Sequence, residues 1–315
     1  MLGSSARINY NLRPSKHVER KMMCEAFRRL SEFGTVESYR YIGFGSFYFR
    51  DFALIHKALG ISNMTSIERE EDEEDKKRFQ FNLPYSCVKM AFGESSAVLP
   101  TLPWDVRTIL WLDYDFSLDA SVLGDVAHFC ANACAGSVIV VSLNAHPDNR
   151  DKTPVNTLKE KVGENEVPVD LIDAHLKEWG KASAFRRIIT NKVSEALNIR
   201  NGTRAQGSRF VFKQLFNFHY RDNAMMVTVG GVLYEQGQEP LVAKCAFDHL
   251  PFVRAGEDAY RIEIPRLTYK EIRHLDEQLP VLQSLELNAN GIPAEDLELY
   301  SRLYRYFPNF AEADL

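Results

Sequence analysis

The sequence has no apolar stretch long enough to cross a bilayer. Its densest run, Val138 to Leu143, is six residues, where about 20 are needed. Nor does the opening segment, MLGSSARINYNLRPSKHVERK, contain the apolar stretch of a secretory leader. Cysteine is sparse: Cys24, Cys87, Cys130, Cys134 and Cys245 are scattered, with no CxxC and no Cys–His cluster. A disulfide framework and a zinc site of the usual spacing are thereby excluded. Cys130 and Cys134, at helical spacing, read as small buried apolar residues in a reducing compartment. These features predict a cytoplasmic chain with no membrane partner. Positive charge is not in excess either. A net charge of −5 argues against a surface that clings as a whole to nucleic acid or anionic lipid. Internal repeats and low-complexity linkers are also missing.

What is present is the balance of an ordinary globular protein, 45% apolar and 26% charged over 315 residues. That suffices for one large α/β domain with additions, or two modest domains. Ser15 to Phe33 reads as an amphipathic helix, with Val18, Met22, Ala26, Phe27, Leu30 and Phe33 opposite Arg20, Lys21, Arg28 and Arg29. Ser15 is its expected N-cap and Gly34 its stop. Strands follow at Tyr39–Ile42, Met64–Ile67, Ser86–Met90, Thr108–Leu112 and Ser137–Leu143, separated by helical patterns. This alternation predicts a parallel sheet covered on both faces. In such sheets ligands bind at the carboxyl ends of the strands. The stretch 147–209 breaks the rhythm, starting polar and then giving helices around Leu171–Trp179 and Ala184–Leu197. Two strands, Phe210–Tyr220 and Met225–Tyr234, flank the hairpin signal Arg221-Asp222-Asn223. The tail holds an extended RIEIP, a capping box of Thr268 and Glu271, and a helix opened by Pro293.

Chemistry concentrates at the strand ends. Gly43 and Gly45, in YIGFGS, let backbone approach a ligand, and Ser46 is the expected cap of a helix whose free N–H groups suit an anion. Tight packing alone explains the same glycines. Glu68 ends the second strand, 25 residues after Gly43, where a carboxylate can accept both hydroxyls of a ribose. The third strand leads to Gly93-Glu94-Ser95-Ser96, whose polar groups can meet the amino edge of a purine. The fourth ends in Asp113-Tyr114-Asp115, with capping of the next helix as the plain alternative for Asp115. The fifth ends in Asn144-Ala145-His146.

In this order the residues resemble class I S-adenosylmethionine-dependent methyltransferases, over about 36–146 and 208–235. More loosely, the chain is similar to bacterial proteins that carry the label putative O-methyltransferase. The resemblance implies a Rossmann-like α/β sheet, mostly parallel, with the Phe210–Tyr234 hairpin as its antiparallel closing pair. It implies a helical lead-in at 1–35, a methyltransferase domain at 36–235 with 147–209 inserted as a lid or partner segment, and a mainly helical extension at 236–315. It further implies S-adenosylmethionine as cofactor. By the resemblance, Gly43 and Gly45 would line the methionine end, Glu68 the ribose, Glu94 the adenine and Asp113 the sulfonium side, with Tyr41, Ser46 and Ser95 as further cofactor-binding residues. Tyr41 occupies a place where the family usually has an acid, and Phe47 one where a third glycine is common. DYDF lacks the prolines of the amino-methyltransferase signature, which points to oxygen rather than to a nucleic-acid base as acceptor.

Methyl transfer needs alignment and a base or metal for the acceptor proton. Asp113, Tyr114, Asp115 and His146 are the candidate catalytic residues. Asp113, Asp115, Asn144 and His146 are the set that Mg²⁺ would use. Residues 177–213 hold nine Lys or Arg; with Arg13, Lys16, Arg20 and Lys21 they form either a phosphate-contacting surface for nucleic acid or a solvated face. Aromatics in the tail leave a homo-oligomer face open. The alternative function is a catalytically silent module that binds a nucleotide, a protein or nucleic acid. A nucleotide-dependent oxidoreductase is the third.

Overall fold

A computed structural model describes residues 13–281 and 284–308. Its centre is an eight-stranded sheet in the order β3-β2-β1-β4-β5-β7-β6-β8. The strands are β1 (Arg40–Gly43), β2 (Asn63–Glu68), β3 (Val88–Phe92), β4 (Thr108–Asp113), β5 (Val138–Asn144), β6 (Phe210–Arg221), β7 (Met225–Glu235) and β8 (Tyr260–Ile262). Only β7 runs against the others. The expected closing hairpin is therefore β6–β7, and RIEIP supplies an eighth strand at its outer edge.

The helices are α1 (Pro14–Arg28), α2 (Arg50–Leu59), α3 (Glu73–Phe81), α4 (Ser95–Val98), α5 (Ala120–Asn132), α6 (Pro154–Val162), α7 (Gly180–Asn201), α8 (Glu239–Lys244), α9 (Tyr269–Asp276) and α10 (Ala294–Leu303). Alternation along β4 sets the two sides of the sheet. Ile109 and Trp111 join a core with Phe27 of α1 and Phe52 of α2. Leu110 and Leu112 join another with Phe129 of α5 and Phe185 of α7. A third, smaller core gathers Leu275, Leu297 and Tyr300 of α9 and α10. No helix among the described residues is long and apolar enough to cross a membrane. The five thiols are free.

Several local expectations change. The first helix ends at Arg28 and continues as a 3-10 turn to Phe33. Its N-cap is Arg13, with Pro14 at the first helical position rather than Ser15 as cap, as proline's fixed φ favours. The Leu171–Trp179 helix is one 3-10 turn, Asp173–Leu176. The polar stretch before it hides α6, opened by Pro154. Asp119, not Asp115, caps α5, accepting from the N–H groups of Ser121 and Val122.

Strand β7 can lie between β5 and β6 only because two of its residues lack side chains. A Cβ on Gly230 would lie 2.6 Å from the Ile139 carbonyl, and one on Gly231 2.2 Å from that of Lys213. Gly231→Ala is expected to lower stability by about 1–3 kcal/mol through overpacking. Gly124→Ala, in α5 with open space around its Cβ, is expected to raise it by about 0.5–1 kcal/mol. Urea denaturation of the two variants checks both signs.

Candidate active site

Because all strands but β7 run the same way, their carboxyl ends form one rim. Register places Gly43 beside Ser66 and Trp111, Glu68 beside Phe92, and Asp113 beside Ser142. The order reverses between β1 and β4, the crevice where open α/β sheets hold ligands. The predicted strand ends thus share an edge.

The turn after β1 is built by its own contacts. The Gly45 N–H donates to Ser66 Oγ at 3.0 Å and the Ser46 N–H to Glu68 Oε1 at 2.7 Å. A Cβ on Gly45 would lie 2.3 Å from the Phe49 ring, and one on Gly43 2.9 Å from the Trp111 carbonyl. Internal packing therefore requires both glycines. Ser46 does not cap the helix: α2 begins at Arg50, with Phe49 at the N-cap position and no side-chain cap. Ser46 has φ 51°, and its buried hydroxyl has no partner among the described residues. Tyr41 is fully buried against Phe52, so it lines no open site. Phe47 turns away from the rim, stacked on Phe79 beneath the Arg78 guanidinium.

Glu68 is held by this turn. Burial raises its carboxyl to about 7, against the opposing pull of the Ser46 and Gly45 N–H groups. The Ser46 and Ser66 bonds both fall on Oε1, which leaves Oε2 as an acceptor. Glu94, by contrast, is exposed and paired with Arg69 at 2.7 Å. Ser95 is engaged by Asp125 and, at 3.4 Å, by the Tyr114 hydroxyl. Tyr114 is buried with its ring between Phe44 and Phe116. Burial and Asp125 hold that phenol well above its ordinary value, so it stays protonated.

Asp113 opens on a buried charge cluster in α1, near Arg20, which the amphipathic reading placed on the polar face. Lys16 is fully buried, and its Nζ lies 2.7 Å from Asp113 Oδ1, 2.8 Å from Glu19 Oε2 and 4.6 Å from the Trp111 ring centroid. Arg20 is buried against Asp51. Burial alone would raise the Asp113 carboxyl, but Lys16 and Arg13 outweigh it and hold Asp113 below its usual range. Burial likewise works against the Lys16 charge, and Asp113 and Glu19 overcome it. Asp222, from the β6–β7 turn, anchors the start of α1 by accepting from the Ser15 and Lys16 N–H groups. Sequence reasoning missed Glu19 and read Lys16 and Arg20 as part of a basic surface rather than as buried partners. A signal existed: they continue the buried Met23–Phe27–Leu30 stripe one turn toward the N-terminus at helical spacing.

Asp115 and His146 are exposed. His146 and Asn144 line an open cleft of about 460 Å³ with Ser117 and 147–150. A second cleft, of about 750 Å³, lies by β6 and β8; neither cleft is lined by Gly43, Glu68, Glu94 or Asp113. Among the described residues, no group of three or more His, Cys, Asp or Glu side chains is placed to hold a metal ion, so Asp113, Asp115 and His146 do not converge. The basic segment is largely spent internally: Arg186, Arg187, Lys192, Arg204 and Lys213 pair with carboxylates, and Arg200 donates to the Cys130 and Ala133 carbonyls.

The sequence model of the family described as "Putative O-methyltransferase" matches residues 8–315. The chain belongs to this family. Solved structures similar to it include the LepI complex with SAM (10% identity, 64% of this chain and 46% of that one, TM-score 0.36). Others are the O-methyltransferase TomG from Streptomyces achromogenes in complex with SAM (15%, 67% and 79%, TM-score 0.37) and cofactor-bound Rv0187 from MTB (14%, 67% and 79%, TM-score 0.36). This chain spans about half the length of LepI, 46%. No curated protein matches it.

Lys16→Met removes the ammonium that pairs directly with both Asp113 and Glu19 in the interior. The expected cost at neutral pH is about 3–5 kcal/mol. The deficit shrinks at acid pH, as protonation removes the unpaired charge. Urea unfolding at the two pH values checks it.

Proposed function

We propose that this member of the family transfers a methyl group from S-adenosylmethionine to an oxygen acceptor at the β1–β5 rim. The observation that carries the reading is the flanking of the Gly43–Ser46 turn by Glu68 on one side and Asp113 on the other. Between them they present a carboxyl for a ribose and a charged pair for a zwitterion.

The residues fit the cofactor at three points. Glu68 Oε2 accepts from a ribose hydroxyl, and the unpartnered Ser46 hydroxyl lies in the same turn. Phe44, Tyr114 and Phe116 form an aromatic wall for the base. The Asp113 side chain, 14% exposed, is the reachable member of the Lys16 cluster and faces the amino group of the methionine end. When bound, S-adenosylmethionine supplies a methyl group on a sulfonium that is already activated. What remains for the chain is to align the acceptor and take its proton. His146 is the general base in this reading. It lies with Asn144 in the cleft where β5 ends, one strand from Asp113. Tyr114 packs rather than transfers protons, its hydroxyl being committed to Asp125.

Calorimetry with S-adenosylmethionine and S-adenosylhomocysteine tests this. The protein is expected to bind both, and Glu68→Ala to weaken each about 10- to 100-fold, as for the loss of a hydrogen bond to a charged group. Absence of binding of either sulfur nucleoside to the unaltered protein sinks the reading. The raised Glu68 carboxyl sets a pH dependence. The folded value of about 7 exceeds the ordinary one, so this group favours the fold most when protonated, and that contribution fades as pH rises through about 7. Ribose binding uses the ionised form, so affinity is expected to rise over the same interval and to lose that dependence in Glu68→Gln. In a methyl-transfer assay His146→Ala is expected to lower kcat about 10²- to 10⁴-fold while leaving cofactor affinity unchanged.

A further inference from the structure

The larger cleft, of about 750 Å³, lies farther along the rim, where β6 and β8 end beside Glu178 and Trp179. In register, Asp113 faces Ser142, Ser142 faces Thr228 and Thr228 faces Phe218. The β6 backbone is thus three strands, about 14 Å, from β4, although the Tyr220 ring, on the near side of the cleft, lies 5.7 Å from the Lys16 Nζ that pairs with Asp113.

Its lining is built for a flat one. The Trp179 ring stacks on the His219 imidazole at 4.9 Å, with 10° between planes. His219 is 4% exposed, yet neither ring nitrogen has a hydrogen-bond partner among the described residues, a costly state for buried polar atoms. Burial and the nearby Arg261 push the imidazole down to about 4. It is therefore neutral near pH 7, with one donor and one acceptor unused. Tyr220 also lines the cleft, and its buried hydroxyl has no hydrogen-bond partner among the described residues. Arg221 and Arg261 are exposed in the cleft and form no ion pair among the described residues; Arg261 lies 5.9 Å from the Trp179 ring centroid, and the cleft's Asp222 is already engaged by the start of α1. Glu178 and Glu263 stand on the same lining and disfavour a dianion. Glu178 is held at φ 47°, a left-handed conformation that a non-glycine residue adopts at a cost, often at ligand sites.

We infer that this cleft binds a planar hydroxyaromatic monocarboxylate. The ring lies against the Trp179–His219 wall, the hydroxyl meets a His219 ring nitrogen, and the carboxylate takes the Arg221 and Arg261 guanidinium groups, which suit its planar geometry. The inference stands independently of methyl transfer.

The probe is 4-hydroxybenzoate, titrated against intrinsic tryptophan fluorescence, with phenol, benzoate and inorganic phosphate as comparisons. The expected result is a saturable change with 4-hydroxybenzoate, affinities about ten-fold weaker for phenol and benzoate, and no effect of phosphate. Arg221→Gln/Arg261→Gln is expected to weaken 4-hydroxybenzoate about ten-fold while leaving phenol unchanged. His219→Phe keeps an aromatic ring in the wall and is expected to erase the preference for 4-hydroxybenzoate over benzoate. Circular dichroism confirms that the exposed-arginine variant is folded. A titration without saturation, an unchanged affinity in the double variant, or phosphate binding as tightly as 4-hydroxybenzoate overturns the inference.

Discussion

The Lys16 ammonium holds the carboxyl rim together. A lysine taken wholly out of water loses several kcal/mol of hydration, which only close opposite charges can offset. Here Asp113 at the end of β4 and Glu19 one turn along α1 provide them. The Trp111 ring face adds a further attraction. The pairing runs across 97 residues of sequence, so it fixes the opening helix to the sheet at the very strand end where a ligand's charge has to be met. Asp222 completes the anchorage by satisfying the first N–H groups of α1, the groups a helix start otherwise leaves open. Helix, strand end and hairpin turn are one electrostatic unit.

From that unit the rim divides by chemistry. Toward β2 the groups are a neutralisable carboxyl, a serine hydroxyl and aromatic rings, all near the Gly43–Ser46 turn. Toward β5 are the amide and imidazole of Asn144 and His146, open to solvent. Toward β6 and β8 are the exposed guanidinium groups of Arg221 and Arg261 and the Trp179–His219 stack. Such a gradient suits a sheet that binds an adenosine-containing molecule at its switch point and places other ligands beside it. The low dielectric under α1 makes the Asp113 charge stronger than it would be in water. The turn itself is shaped from within, since Phe49 and Ser66 fill the space a side chain at position 45 would need.

Much of this was legible in the chain. Alternation of short apolar runs with helical stripes announced the parallel sheet, and Glu68 and Asp113 stand at strand ends as expected. Hairpin β6–β7 closes the sheet where Arg221-Asp222-Asn223 signalled a turn. Other readings failed for definite reasons. Lys16 and Arg20 look like solvent-facing residues because charge type alone says nothing of a partner 97 or 31 residues away. Glu94 looks like a base-edge ligand until Arg69 is seen beside it, and Tyr41 like a lining residue until Phe52 covers it. The basic run looks like a phosphate track because its carboxylate partners, among them Asp170, Glu257 and Asp248, are spread along the chain.

By itself the sequence determined the element order, the polarity of the strands and the identity of the groups at their ends, because hydrophobic period and turn chemistry act over a few residues. Tertiary structure alone decided which charges are buried, which carboxyl is raised and which glycine serves packing. Those properties depend on desolvation and on partners brought from distant segments, and neither is a local property of a peptide.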